Sequence, residues 1–196
     1  MTFKNEENDT MYEVIWHGRG GQGVVVASQI LAESAYLQGF KGVTSAPTFG
    51  PERRGAPLTA STKISREPIR TFAQIELADV AVVLDPSLLT VVNIVGSVKD
   101  HGIIIINAAG KPGITGMKNG LRVATVDAVS IALKHHLIKE GSPMVNTPLL
   151  GAFAAATDLI TIESLEKGLK WKMSGLAATN NIAALRAAFE ATCKLN

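Results

Sequence analysis

Six residues, Gly18-Arg19-Gly20-Gly21-Gln22-Gly23, constrain this chain more than any other stretch. The run before them, residues 11–16, is rich in apolar side chains and reads as a β-strand. The run after them, residues 24–37, spaces its apolar residues as a helix does. A strand that turns through glycines into a helix aims several backbone N–H groups at one point. The helix N-terminus adds roughly half a positive charge there, which suits an anion. Glycine tolerates positive φ and lets a phosphate approach the backbone, and Arg19 adds a forked donor of the kind that grips phosphate. The alternative is a tight turn that only lets helix and strand pack closely.

The spacing also satisfies G-x-G-x-x-G at Gly18, Gly20 and Gly23. A dinucleotide site pairs that motif with an acidic residue about 20 positions further on. Residues 38–45, where it would stand, contain no carboxylate. An anion cradle that is not an NAD ribose clamp fits better.

A chain of 196 residues with 46% hydrophobic content supports one domain, here residues 11–196 behind a polar, charged tail at 1–10. The net charge of +2 provides no strong attraction for nucleic acid or an anionic membrane, and no apolar run is long enough to span a bilayer. One cysteine, Cys193, is too few for an iron–sulfur cluster, and it is expected to sit packed or half-exposed on a last helix. That cysteine usage, with no apolar leader at the start, points to the cytoplasm.

Along the chain, residues 42–46 read as a second strand. Residues 47–57 hold three prolines, two glycines and the triplet Glu52-Arg53-Arg54, so they form an irregular loop of the type that carries function. Residues 58–64 alternate as a half-exposed strand, with an antiparallel place at an edge or rim of the sheet open to it. Residues 80–84 and 102–107 are near-continuous aliphatic runs that suit strands buried on both faces, and 121–126 is a further strand. Asp85 is placed to cap a helix from Ser87, and Asp127 to cap a helix over 128–139. His135 and His136 on that helix face different directions and share no metal. Asn146-Thr147-Pro148 starts a small, very apolar buried helix through 157, followed by helices over 161–169 and 174–194. The fold class expected is α/β: a three-layer α/β/α sandwich on a mostly parallel, Rossmann-like sheet mixed by one antiparallel strand. No nucleophile, base and orienting group can be assembled, and no carboxylate or histidine spacing suggests a metal site. Such a profile suits a binding subunit whose chemistry is carried elsewhere.

Three segments together resemble the gamma subunit, or gamma domain, of the 2-oxoacid:acceptor oxidoreductase family. They are His17-Gly18-Arg19-Gly20-Gly21-Gln22-Gly23-Val24, then Pro47-Thr48-Phe49-Gly50-Pro51-Glu52-Arg53-Arg54-Gly55-Ala56-Pro57, then Asn146-Thr147-Pro148-Leu149-Leu150-Gly151-Ala152. They occur in family order, and the resemblance covers about residues 11–190. It implies a non-catalytic subunit of an enzyme that oxidatively decarboxylates a 2-oxo acid and passes the acyl group to coenzyme A. Alpha-, beta- and delta-type partners would carry thiamine diphosphate, Mg and [4Fe-4S] clusters, with ferredoxin or another acceptor taking the electrons. This chain would hold no cofactor tightly and would be inactive alone. Carried over residue by residue, Arg19, Gly20, Gly21, Gln22 and Gly23 become candidates for coenzyme A phosphate contacts. Arg53 and Arg54 would meet coenzyme A or a neighbouring subunit, and Asn146 and Thr147 are further candidates. The Glu-Arg-Arg-Gly-Ala-Pro form looks pyruvate-like, with other 2-oxo acids such as phenylglyoxylate open. Two other readings stand beside it: a free-standing NADP-binding Rossmann-type oxidoreductase, with Arg53 and Arg54 on the 2′-phosphate, and a purely structural scaffold.

Overall fold

The computed structural model describes residues 11–47, 55–70 and 73–195. Strand β1 (Tyr12–Arg19) leads through the glycine turn into α1 (Val24–Gln38), then β2 (Gly42–Pro47), β3 (Pro57–Ser65) and β4 (Ala78–Val83). Two 3-10 turns, Pro86–Thr90 and Val95–Ser97, precede β5 (Val98–Asn107), β6 (Arg122–Val126) and α2 (Ala128–Lys134). A small hairpin of β7 (Ile138–Lys139) and β8 (Ser142–Pro143) leads to α3 (Asn146–Thr157), α4 (Ile162–Lys172), α5 (Gly175–Ala191) and β9 (Cys193–Leu195).

The main sheet has the order β2-β3-β1-β4-β5-β6-β9. Strands β1, β4, β5 and β6 are parallel, while β3 runs against β1 and β2, and β9 runs against β6. The α/β class and the mostly parallel, mixed sheet expected from the sequence are therefore found, with two reversed strands in place of one. β3 lies one position in from the edge, because β2 pairs along its outer side.

The aliphatic strands are buried on both faces because successive side chains point to opposite sides. Ile103 and Ile105 join the larger core, with Val14, Trp16, Val80, Val82 and residues of α1, α3, α4 and α5. Ile104 and Ile106 join a smaller one with Ala81, Val83 and Val123, covered by Leu88 and Ile94 of the 3-10 region. The second outer layer is thus thin and built of turns. Asp85 does cap, accepting from the Ser87 N–H, but the α-helix expected from Ser87 is one 3-10 turn. Its path runs into the β-branched Val91 and Val92, and the Asn93 side chain then accepts the Gly96 N–H, which competes with helix propagation.

Two further expectations are corrected at helix ends. The helix expected over 128–139 stops at Lys134, with His136 in the left-handed region at φ 57°. Glu140 (φ 50°) and Gly141 (φ 76°) then form a two-residue turn of the twist hairpins favour, which closes β7 on β8. The last helix ends at Ala191, so Cys193 is exposed on β9 instead of lying on α5.

Every residue of α3 is buried, and its small side chains bring α5 close: a Cβ on Gly151 would lie 2.1 Å from the Leu185 carbonyl oxygen. Trp16 stacks on Phe153 of α3 at a centroid distance of 6.2 Å, and its indole N–H donates to Thr62. On the opposite side of β1, Glu13 pairs with Lys63 at 3.1 Å, so this β3 lysine is buried and compensated. His17 faces the same side. It is 4% exposed, neither ring nitrogen finds a hydrogen bond among the described residues, and burial lowers its pKa from 6.5 to about 4.

Two stability experiments follow. Gly151→Ala should cost at least about 1–3 kcal/mol in urea unfolding, because backbone of α5 must move to admit a methyl group. His17 is neutral in the folded chain, whereas an unfolded chain takes up a proton below about pH 6.5. Protonation therefore favours the unfolded state, and stability should fall by about 3 kcal/mol as the pH drops from 7 to 4. His17→Leu should flatten urea-derived stability across that window; an unchanged slope would remove His17 as its source.

Candidate functional site

β1 delivers Arg19 to the C-terminal edge of the sheet, and the chain turns at once. Gly21 (φ 97°) and Gly23 (φ 80°) both take left-handed backbone, and Gly23 is the residue that caps α1. Gly18 is needed for space: a Cβ there would lie 2.5 Å from a Val24 methyl. The α1 cap contributes no side-chain hydrogen bond, so its first N–H groups have no internal acceptor of that kind. The loop is pinned from the far side by Gly55 and Ala56, through Gly20 N–H to Ala56 C=O at 3.0 Å and Gly55 N–H to Gly20 C=O at 3.2 Å.

Arg19 is engaged with its own chain. Its Nε donates to Asp85 at 2.9 Å, one terminal nitrogen to the Gly55 carbonyl at 3.0 Å and the other to the Ser87 hydroxyl at 2.9 Å. Gln22 folds back in the same way, accepting the Arg19 N–H and donating to Asp85 at 3.3 Å. Burial pushes the Asp85 carboxyl up, but hydrogen bonds from Ser87 and the Arg19 charge and hydrogen bond outweigh it and hold the group below its ordinary value. Asp85 is therefore ionised at neutral pH and offsets Arg19. The sequence reading gave Asp85 only its capping role; no local spacing links residues 66 positions apart.

The second helix start lies against the first. An added Cβ on Gly23 would fall 2.8 Å from the Asn146 side-chain nitrogen, so the Asn146 amide rests on the turn. Val145, at the α3 cap position, contributes no side-chain hydrogen bond either. Two helix N-termini thus converge on one spot, each with roughly half a positive charge. Asn146 is 5% exposed, and none of the described residues hydrogen-bonds its side-chain amide. Thr147 points elsewhere: its hydroxyl lies 2.6 Å from Asn181 Oδ1 and ties α3 to α5. Gly20, Gly21, Gly23 and Asn146 are therefore gathered, Arg19 and Gln22 clasp the loop, and Arg53 and Arg54 lie outside the described residues. Among the described residues no three His, Cys, Asp or Glu side chains gather as metal ligands, and no helix is long and apolar enough to cross a membrane.

Comparison with known proteins agrees with this architecture. The family pattern described as pyruvate ferredoxin/flavodoxin oxidoreductase matches residues 13–191. The pyruvate/ketoisovalerate oxidoreductases common subunit gamma of Pyrococcus furiosus is 48% identical, over 93% of this chain and 97% of that protein. Pyruvate synthase subunit PorC of Methanothermobacter marburgensis is 43% identical, over 92% and 97% of the two chains. The crystal structure of pyruvate oxidoreductase subunit PORC from Thermotoga maritima superposes with a TM-score of 0.78 at 31% identity, covering 95% of this chain and 99% of that one. With its family pattern spanning the glycine turn, the sheet up to β6 and all of α3 to α5, the chain belongs to the pyruvate ferredoxin/flavodoxin oxidoreductase family.

Proposed function

We propose that this chain is the gamma-type subunit of a multi-subunit oxidoreductase acting on pyruvate or a close 2-oxo acid, and that it holds a phosphate of coenzyme A. The kinship with subunits named gamma and PorC supports the first part. The observation that carries the second is the meeting of α1 and α3 at Gly23 and Asn146, where the amide of a nearly buried residue has no partner among the described residues. Gly20 and Gln22 use their N–H groups on Ala56 and Arg19, so the N–H groups of Gly21 and Gly23 and the Asn146 amide would donate to the phosphate, with two convergent helix N-termini favouring its charge. Arg19 has donors left for the phosphate beyond the three it uses internally, but its main contribution is to hold the loop.

The 2-oxo acid would be cleaved on alpha- and beta-type partners holding thiamine diphosphate and Mg, and a delta-type partner would carry clusters toward ferredoxin or another acceptor. Coenzyme A supplies the thiol that accepts the acyl group. This chain would orient it and would be inactive alone. No observation here favours NADP, whose 2′-phosphate reading rested on Arg53 and Arg54.

In the intact complex, Asn146→Ala should remove a hydrogen bond to a charged group, worth about 1.5–3 kcal/mol. The apparent KM for coenzyme A should rise roughly ten- to a hundredfold, with the KM for the 2-oxo acid unchanged. Unaltered coenzyme A kinetics in an assembled variant would reject the site. Arg19→Ala and Asp85→Asn should raise that KM similarly, by roughly tenfold each, and the double variant by no more than either alone, as expected of partners in one clasp. Additive effects would instead place Arg19 directly on the phosphate.

A further inference from the structure

The outer side of α1 is not the polar surface expected of a helix packed on one sheet. Tyr36 is 65% exposed, and Trp171, in the last turn of α4, is 78% exposed. Together with Ala32, Glu33, Leu37 and Val43 they line a hollow of about 310 Å³ with nearly wholly apolar walls. Val43 belongs to β2, the outermost strand, so the hollow opens at the margin of the sheet, where a neighbouring chain has access.

The charges around it are uneven. Lys172 lies 3.9 Å from Glu33 and donates to Gln29 at 3.2 Å, so that cation is answered within the chain. Lys167 and Lys170 flank Trp171 on the exposed side of α4 and have no ion-pair partner among the described residues. The centre is apolar and aromatic, and the rim has a surplus of positive charge.

We propose that this face of α1 and α4 docks a partner chain of the oxidoreductase, through a segment that seats one apolar side chain in the hollow between flanking carboxylates. The proposal rests on the subunit reading above. An exposed indole beside a preformed hollow is a strong anchor for a protein partner, and carboxylates complement the two unanswered lysines. A second copy of this chain fits poorly, since a two-fold contact would place Lys167 and Lys170 of both copies close together. Val26, near the glycine turn, and Leu37, beside the hollow, are separated by about 16 Å of helix at 1.5 Å per residue. Docking and coenzyme A binding are therefore separable by mutation.

The test uses the complex assembled by co-expressing this chain with the other chains of the oxidoreductase. Trp171→Ala should leave thermal unfolding of the isolated chain unchanged and weaken association with the partner chains at least tenfold. Lys167→Glu/Lys170→Glu should weaken it several-fold, more at low salt than at high salt. With subunits in excess, the apparent KM for coenzyme A should match that of the parent complex. A photo-crosslinker at position 171 should join an acidic peptide of a partner chain. Association unaffected by either variant would overturn the proposal, as would a crosslink to a second copy of this chain. So would loss of binding to anionic vesicles in both variants with assembly intact. If the unaltered chain does not associate with those chains at all, the subunit reading falls too; if it associates and only the Trp171 and lysine variants are silent, the docking face alone is wrong.

Discussion

The absence of a Cβ at Gly18 and Gly23 is the constraint on which the site end of the molecule depends. At Gly18 a methyl group would drive into Val24, and at Gly23 into Asn146, where the backbone is also left-handed. One position sets how closely α1 packs on β1; the other sets how closely α3 approaches the start of α1. Larger side chains would push both helices outward and lose the convergence of their N-termini. The small residues of α3 continue the same logic, with Gly151 lying against the backbone of α5.

Charge at this end is arranged around that geometry. The side chain that looked most suited to an anion, Arg19, is largely occupied by Asp85, Ser87 and Gly55. A guanidinium tied to a carboxylate holds a loop still but offers little net charge to a ligand. The positive potential that remains comes from backbone, through two helix starts without side-chain caps. Such donors are fixed before any ligand arrives, so little ordering is required on binding. The Asn146 amide, without a hydrogen-bond partner among the described residues, is consistent with this arrangement, since its donor is free for a ligand.

The sheet distributes its cover unevenly. The helices lie mainly over the face that carries Trp16, Ile103 and Ile105, while the opposite face is sealed by 3-10 turns and, toward β3, by compensated charges such as Glu13 and Lys63. A face closed by short turns and ion pairs has fewer apolar contacts to lose than one closed by α3. His17 is buried on that side without a partner among the described residues, which makes it sensitive to protonation.

Much of this was legible in the sequence where the cause is local. The glycine turn, the aliphatic runs at 80–84 and 102–107, the caps at Asp85 and Asp127, and the small-residue helix from Asn146 all follow from chain stereochemistry and apolar spacing. The hairpin at 138–143 and strand β9 escaped because two- and three-residue strands have no measurable period; pairing defines them. The placement of β3 between β2 and β1 was equally hidden, since alternation reports a half-buried strand and not its neighbours. By itself the sequence determined that a glycine turn would join the first strand to the first helix, and that the two aliphatic strands and the helix from Asn146 would be buried. Only the tertiary structure decided that Asp85 would occupy Arg19 and that Asn146 would rest on Gly23, because both contacts join segments that meet solely through the order in which strands and helices pack.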